Sequence, residues 1–331
     1  MHTISDYRDE FIAYLDSMKI TKEPRNLYEP ITYILGLGGK RLRPVLVLMT
    51  AEIFNTDFRK ALDAAVAVEV FHNFSLVHDD IMDDAPVRRG KTTVHEKWDI
   101  NTGILSGDAM LIMAYQLFEN YEPNVFRDLA KLFSKTALEV CEGQQYDVDF
   151  ETRDDVMLPE YLKMIEYKTA VLVAAALKMG AIVAGAPDEA QQQMYNFGLN
   201  LGIAFQLQDD YLDVFGDPNS FGKQVGGDII ENKKTYLYLK ALNSGSEVIA
   251  KELEHLYSIH PKEAEAKINA VRSIFEKTKA DQATKTAIAD YTAKAFEVLD
   301  DMDIDPENKE LLRQFGENLI ERFRKFVLSM L

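Results

Sequence analysis

The stretch Phe71-His-Asn-Phe-Ser-Leu-Val-His-Asp-Asp-Ile-Met-Asp-Asp84 constrains this chain most. It is an apolar segment with helical spacing that ends in four aspartates, Asp79, Asp80, Asp83 and Asp84. At ~100° per residue, Asp79 and Asp83 share one helical face a turn apart, and Asp80 and Asp84 form a second stripe beside them. Carboxylates at this spacing repel by roughly a few tenths of a kcal/mol per pair. Such a helix calls for a cation, and hard carboxylate oxygens suit Mg²⁺. The pattern recurs in Phe205-Gln-Leu-Gln-Asp-Asp-Tyr-Leu-Asp213, with Asp209, Asp210 and Asp213. Both copies end unusually apolar helices, with Phe74, Leu76 and Val77 before one and Ile203, Phe205 and Leu207 before the other. A solvated helix end would be polar for longer. Two copies with one spacing predict a chain organised around two acidic patches that face each other.

Length and charge narrow the classes. The chain has 331 residues, long for one domain by the usual ~100–200 residues. No linker interrupts it, so residues 1–331 are read as a single domain. The 37 basic and 54 acidic residues leave a net charge of −17. That argues against nucleic acid or an anionic membrane as main partner. The one cysteine, Cys141, excludes an internal disulfide and fits a reducing, cytoplasmic setting. The N-terminal residues have neither the basic nor the apolar region of a signal peptide. The longest apolar run, Ala170–Ala186, is broken by Lys178 and Gly180 and is too short for stable membrane insertion.

The rest of the pattern is helical. Ile4, Tyr7, Phe11, Tyr14, Leu15 and Met18 recur at 3–4 spacing over residues 1–20. Pro24 and Pro30 bound a connection, Leu27–Leu35 form a second helix, and Gly36-Leu-Gly-Gly39 stop it. Pro44 opens a helix that runs through Phe54. Further helices are expected over 60–84, 103–120, 125–147, from Pro159 through 180, and over 189–215. Residues 85–91 read as a turn, and Gly216–Gly227 as a flexible loop or lid. Helical patterns with breaks at 243–246, 259–262 and 301–308 complete the chain. No alternating β-branched run occurs. The fold class is all-α.

Cations cluster despite the acidic balance. Gly38-Gly-Lys-Arg-Leu-Arg-Pro44 sets Lys40, Arg41 and Arg43 before a helix, beside glycines that let backbone amides approach an anion. Arg88, Arg89 and Lys91 begin only four residues beyond Asp84. Arginine grips phosphate oxygens as a fork and lysine as a point charge. Metal-type carboxylates beside such cations imply diphosphates, one held through Mg²⁺ and another directly. His72 precedes Asp79 by seven residues, two turns, and so shares its face. Lys168, Thr169, Gln206, Lys223 and Lys233 form a looser mid-chain set, each compatible alone with an ordinary surface residue. Nucleophile motifs and zinc-type histidine spacings are absent.

These motifs, in this order from Gly38 to Thr235, resemble the trans-isoprenyl diphosphate synthases (polyprenyl synthetases). Gly-Gln-x-x-Asp at 143–147, Lys-Thr at 168–169, Gly-Lys at 222–223 and Lys-Lys-Thr at 233–235 complete the set. The resemblance implies one large helical bundle, the isoprenoid synthase-type fold, around a deep central cavity. It implies Mg²⁺-dependent head-to-tail condensation of isopentenyl diphosphate with an allylic diphosphate, three Mg²⁺ ions per active site, and a homodimer. Asp79, Asp83 and Asp209 would hold Mg²⁺, with Asp80, Asp84, Asp210 and Asp213 in support. Lys40, Arg43, His72 and Arg89 would bind isopentenyl diphosphate, with Arg41 of the same loop also among the substrate-binding residues. Arg88, Lys168, Lys223 and Lys233 would hold the allylic diphosphate, and Thr169 and Gln206 would lie near the forming carbocation.

Chain length is expected to be set on the same helix. Ser75, Phe74 and Phe71 lie four, five and eight residues before Asp79, about 6–12 Å along the axis. In this family a bulky residue five before the first aspartate blocks elongation, so Phe74 implies a short product. The first acidic motif has no two-residue insertion, which points to geranylgeranyl diphosphate ahead of farnesyl diphosphate. A longer-chain synthase, a class I terpene cyclase and a catalytically silent subunit of a prenyltransferase heteromer are the competing readings.

Overall fold

The computed structural model describes residues 2–18, 22–216, 225–244 and 246–321. Its elements are helices and one two-stranded ribbon. Packing divides the chain into two compact units, Met1–Lys135 with Ala175–Met194, and Thr136–Ala174 with Tyr195–Leu331. The first unit holds α1 (Ile4–Ser17), α2 (Arg25–Gly36), α3 (Leu42–Ile53), α4 (Leu62–Met82), a one-turn α5 (Val94–Lys97) and α6 (Ile100–Phe118). Helix α7 (Pro123–Thr152) contributes residues to both units, and α8 (Leu158–Ile165) belongs to the second. Helices α9 (Val171–Val183) and α10 (Asp188–Phe215) again contribute to both. The second unit continues through helices over 227–230, 236–244, 247–256, 265–277, 280–301 and 306–321. Among the described residues, no helix is long and apolar enough to cross a membrane.

In the first unit α4 packs along α6 and against α3. Ala64, Ala65 and Ala67 are fully buried, and residues this small let neighbouring backbones come close. Helix α3 is buried from Pro44 to Ala51, with Thr50 the one polar side chain in that stretch, as expected of a core helix. A Cβ on Gly180 of α9 would lie 2.3 Å from the Val47 carbonyl of α3, so glycine is required there. The second unit packs Phe150, Tyr161, Leu207, Leu237, Val271 and Phe275 into one core.

Several elements depart from the sequence reading. Pro30 lies inside α2 rather than bounding it. Its missing donor removes one backbone bond, while Pro30, Ile31, Ile34 and Leu35 are all buried. The helix from Pro159 is not uniform, since residues Glu166–Ala170 form a π turn before α9. Residues 85–91 include a ribbon pairing Val87 with Thr92 and Arg88 with Lys91. Arg89 (φ 51°) and Gly90 (φ 72°) are both left-handed, the signature of a tight hairpin whose twist suits its strands. The expected lid lies mostly at 217–224, outside the described residues.

A buried ion pair anchors the loop before α3. Arg41 is left-handed (φ 51°), which costs a non-glycine residue about 1–2 kcal/mol. Its guanidinium donates to Glu69 of α4 and to the Leu35 carbonyl. Asn73 Nδ2 donates to the Glu69 carboxylate at 3.1 Å and to its carbonyl at 2.8 Å. Both charged side chains are almost wholly buried, 5% and 3% exposed. Removing one partner of such a pair strands the other charge in the core, at roughly 3–5 kcal/mol. Glu69→Ala is therefore expected to lower the urea midpoint of unfolding sharply, and an unchanged midpoint would contradict this role for the pair.

Candidate active site

In the first unit, helix α4 ends at Met82 with Asp83 as its cap. Asp79 and Asp83 remain one turn apart, and the Asp83 amide donates to the Asp79 carbonyl at 2.9 Å. Asp84 does not continue the second stripe. Its φ of 49° takes it out of the helix, which corrects the pairing with Asp80 expected from spacing. Asp80 is buried, and its Oδ1 accepts from Arg88 Nε at 2.7 Å and Nη2 at 2.6 Å. Its Oδ2 is buried without a hydrogen-bond partner, a lone pair still open to a cation.

The cations gather around His72. Arg43 Nη1 lies 3.2 Å from His72 Nε2. Guanidinium only donates, so this ring nitrogen accepts and the imidazole is neutral. Burial holds the His72 pKa well below its ordinary value, and the charges of Arg43, Arg89, Arg88 and Arg41 push it the same way. Burial also depresses the pKa of Arg43 and of Arg89, with neighbouring arginines adding to the effect. Crowded, partly desolvated guanidinium groups are what an anion would relieve. The glycine loop meets the hairpin here. Arg89 donates to the Gly38 carbonyl, and a Cβ on Gly39 would lie 3.0 Å from the Arg89 guanidinium. Lys40 is exposed at the same loop. Arg41, grouped by sequence with the binding cations, is instead committed to Glu69 in the core.

Lower on α4, Phe71 is fully buried, 5.4 Å from the Phe74 ring and 5.1 Å from that of Phe133. Phe74 also meets His78 edge-on at 4.8 Å. Ser75 Oγ donates to the His72 carbonyl at 2.9 Å.

In the second unit, the second acidic motif sits in the last turns of α10. Asp210 is buried and accepts from the Tyr161 hydroxyl and from Gln206 Nε2 at 3.1 Å. Gln206 Oε1 in turn accepts from Thr169 at 3.1 Å. A single chain of bonds thus joins the Lys-Thr motif to the acidic one. Lys168 pairs with Asp147 at 2.5 Å. The π turn that presents Lys168 and Thr169 fits closely against α7, where a Cβ on Gly143 would lie 2.3 Å from the Lys168 amide nitrogen. Asp213 Oδ2 accepts from the Asp228 amide at 3.0 Å.

Asp228 is a member of this group that the sequence pattern does not mark; its only signal is its place after two glycines and before Lys233. Burial pushes its carboxyl up to about 8, with Asp210, Asp213 and Asp209 adding repulsion. Burial likewise raises Asp210 to about 7 against the lowering bonds from Tyr161 and Gln206. Like-charged oxygens held this close fit a hard divalent cation. Lys233 pairs with Glu231 at 2.9 Å. Lys223 lies outside the described residues.

The comparisons with known proteins agree with these features. The sequence model of the polyprenyl synthetase family matches residues 24–275. A geranylgeranyl diphosphate synthase of Methanosarcina mazei is 40% identical, with 94% of each chain covered. A geranylfarnesyl diphosphate synthase of Natronomonas pharaonis is 39% identical, with 91% of each covered. A crystal structure of a geranylgeranyl pyrophosphate synthase is 55% identical, with a TM-score of 0.94 over 97% of this chain and 99% of that one. The chain therefore belongs to the polyprenyl synthetase family and is an all-α prenyltransferase of its short-chain branch.

Proposed function

We propose that this chain condenses isopentenyl diphosphate with allylic diphosphates, head to tail, to make geranylgeranyl diphosphate, and that its two units serve one catalytic domain. The relatives named for that product support the reading. The observation that carries it is the pair Arg43 and Arg89 beside a neutral His72. That is a binding place for a second anion, which a terpene cyclase with one diphosphate substrate has no use for.

Asp79, Asp83 and Asp209 are assigned as ligands of three Mg²⁺ ions. Bound there, Mg²⁺ would neutralise the charge that develops on the allylic diphosphate as its C–O bond ionises. Asp80, Asp210 and Asp213 act behind the ligands, each fixed by its own donor: Arg88, Tyr161 and the Asp228 amide. Lys40, Arg43, His72 and Arg89 hold isopentenyl diphosphate, and Arg88, Lys168, Lys223 and Lys233 hold the allylic one. Arg41 positions the loop that carries Lys40 and Arg43. Thr169 and Gln206 place oxygen atoms near the carbocation, and the proton lost in the last step goes to the departing diphosphate. No strong protein base is then needed.

Phe74, with Phe71 and Phe133 behind it, is assigned as the stop for the growing chain. The exposed apolar residues Ile100, Ile104, Leu105 and Ile112 along α6 support a homodimer, since apolar stripes of this kind mark association surfaces. A cytoplasmic setting fits the absence of any possible internal disulfide.

Diphosphate release is expected only when Mg²⁺, isopentenyl diphosphate and an allylic primer are all present. Release from the primer alone would select the cyclase, and no release with any primer the silent subunit. Asp209→Asn is expected to lower kcat by roughly 10²-fold or more, the scale for removing one group that stabilises developing charge. Phe74→Ala is expected to shift the product to longer chains by chromatography, and an unshifted product removes Phe74 from the role of stop.

A further inference from the structure

Asp84, displaced from the acidic stripe, has other company. Its carboxylate, the His95 ring and the Glu96 carboxylate each bring a ligand atom within 4.8 Å of the other two. His95 Nε2 and Glu96 Oε1 are 3.8 Å apart, too long for a hydrogen bond. His95 is buried, its side chain only 4% exposed, and neither ring nitrogen has a hydrogen-bond partner. A neutral imidazole offers a proton on one ring nitrogen and a lone pair on the other. Leaving each buried and unmet is unfavourable. The imidazole is thus aimed at two carboxylates without bonding to either.

We propose that Asp84, His95 and Glu96 form a second divalent-metal site, for a nitrogen-accepting ion such as Zn²⁺ or Co²⁺, which ties the end of α4 to α5. One imidazole and two carboxylates are a borderline donor set, unlike the all-oxygen sets of the acidic motifs. In a tetrahedral site, metal–ligand bonds of roughly 2.0–2.2 Å set the ligand atoms about 3.4 Å apart. The ligand atoms here lie within 4.8 Å of one another, so the widest pair closes by roughly an ångström or slightly more, a distance that a carboxylate rotamer change covers. Asp84 and Glu96 are exposed and free to swing, whereas His95 is fixed by burial. A metal on Nε2 would satisfy that nitrogen. It would also brace the segment between α4 and α5, which includes the hairpin of Arg88 and Arg89. The site is independent of the Mg²⁺ chemistry and does not rest on the proposed reaction.

Co²⁺ is the probe, added to the full-length protein. A cobalt-bound imidazole gives a strongly shifted, solvent-exchangeable N–H resonance in the proton spectrum, which oxygen ligands do not give. The wild type is expected to show one such resonance, and Asp79→Asn to retain it. His95→Asn is expected to abolish it. Glu96→Gln, at an exposed position that does not threaten folding, is expected to weaken Co²⁺ binding by about tenfold or more, at least the loss seen when a ligand's supporting partner is removed. No shifted resonance in the wild type, one that survives His95→Asn, or unchanged affinity in Glu96→Gln would overturn the proposal.

Discussion

Repulsion between crowded carboxylates is the constraint on which the rest of the structure depends. Asp79 and Asp83 lie a turn apart at the end of α4, and Asp209, Asp210, Asp213 and Asp228 are gathered in the second unit. In each unit a buried carboxylate is clamped by a side-chain donor, Arg88 on Asp80 and Tyr161 on Asp210. Burial raises the pKa of Asp210 and of Asp228, with the neighbouring aspartates adding repulsion. A structure that only needed to fold would replace these residues with apolar ones at no loss. The proposed binding of a divalent ion and its accompanying anion gives these carboxylates a use beyond folding.

The framework around the site is built from local departures from regular backbone. Arg41 and Arg89 are left-handed without being glycine, and the π turn at Glu166–Ala170 interrupts an otherwise continuous helix. Each departure places a cation or a hydroxyl. Arg41 fixes the loop that holds Lys40 and Arg43, Arg89 bridges to the Gly38 carbonyl, and the π turn presents Lys168 and Thr169. The strain is held by tight neighbours, Glu69 for the first, Gly39 for the second and Gly143 for the third. Strain of this sort concentrates where geometry matters for function.

The all-α class and the position of most helices were legible in the sequence, because apolar residues at 3–4 spacing report burial on one face. The acidic and basic motifs were legible because like charges rarely cluster without a reason. What escaped depends on backbone states that residue types do not announce. Asp84 reads as part of a helical stripe until its φ of 49° turns it towards His95 and Glu96. Arg41 reads as one more cation until its left-handed backbone sends it to Glu69. The π turn contains neither glycine nor proline to announce it, and it packs against α7 where a Cβ on Gly143 would lie 2.3 Å from the Lys168 amide nitrogen. Asp228 is a lone aspartate in a glycine-rich stretch, and only folding sets it against Asp213.

The proposed roles require the acidic residues to hold the allylic diphosphate through Mg²⁺ rather than tolerate each other by protonation. Calorimetric titration with an allylic thiolodiphosphate, whose sulfur bridge slows ionisation, tests this without turnover. Tight binding is expected in Mg²⁺, and little or none in excess chelator. Equal binding under both conditions would contradict those roles.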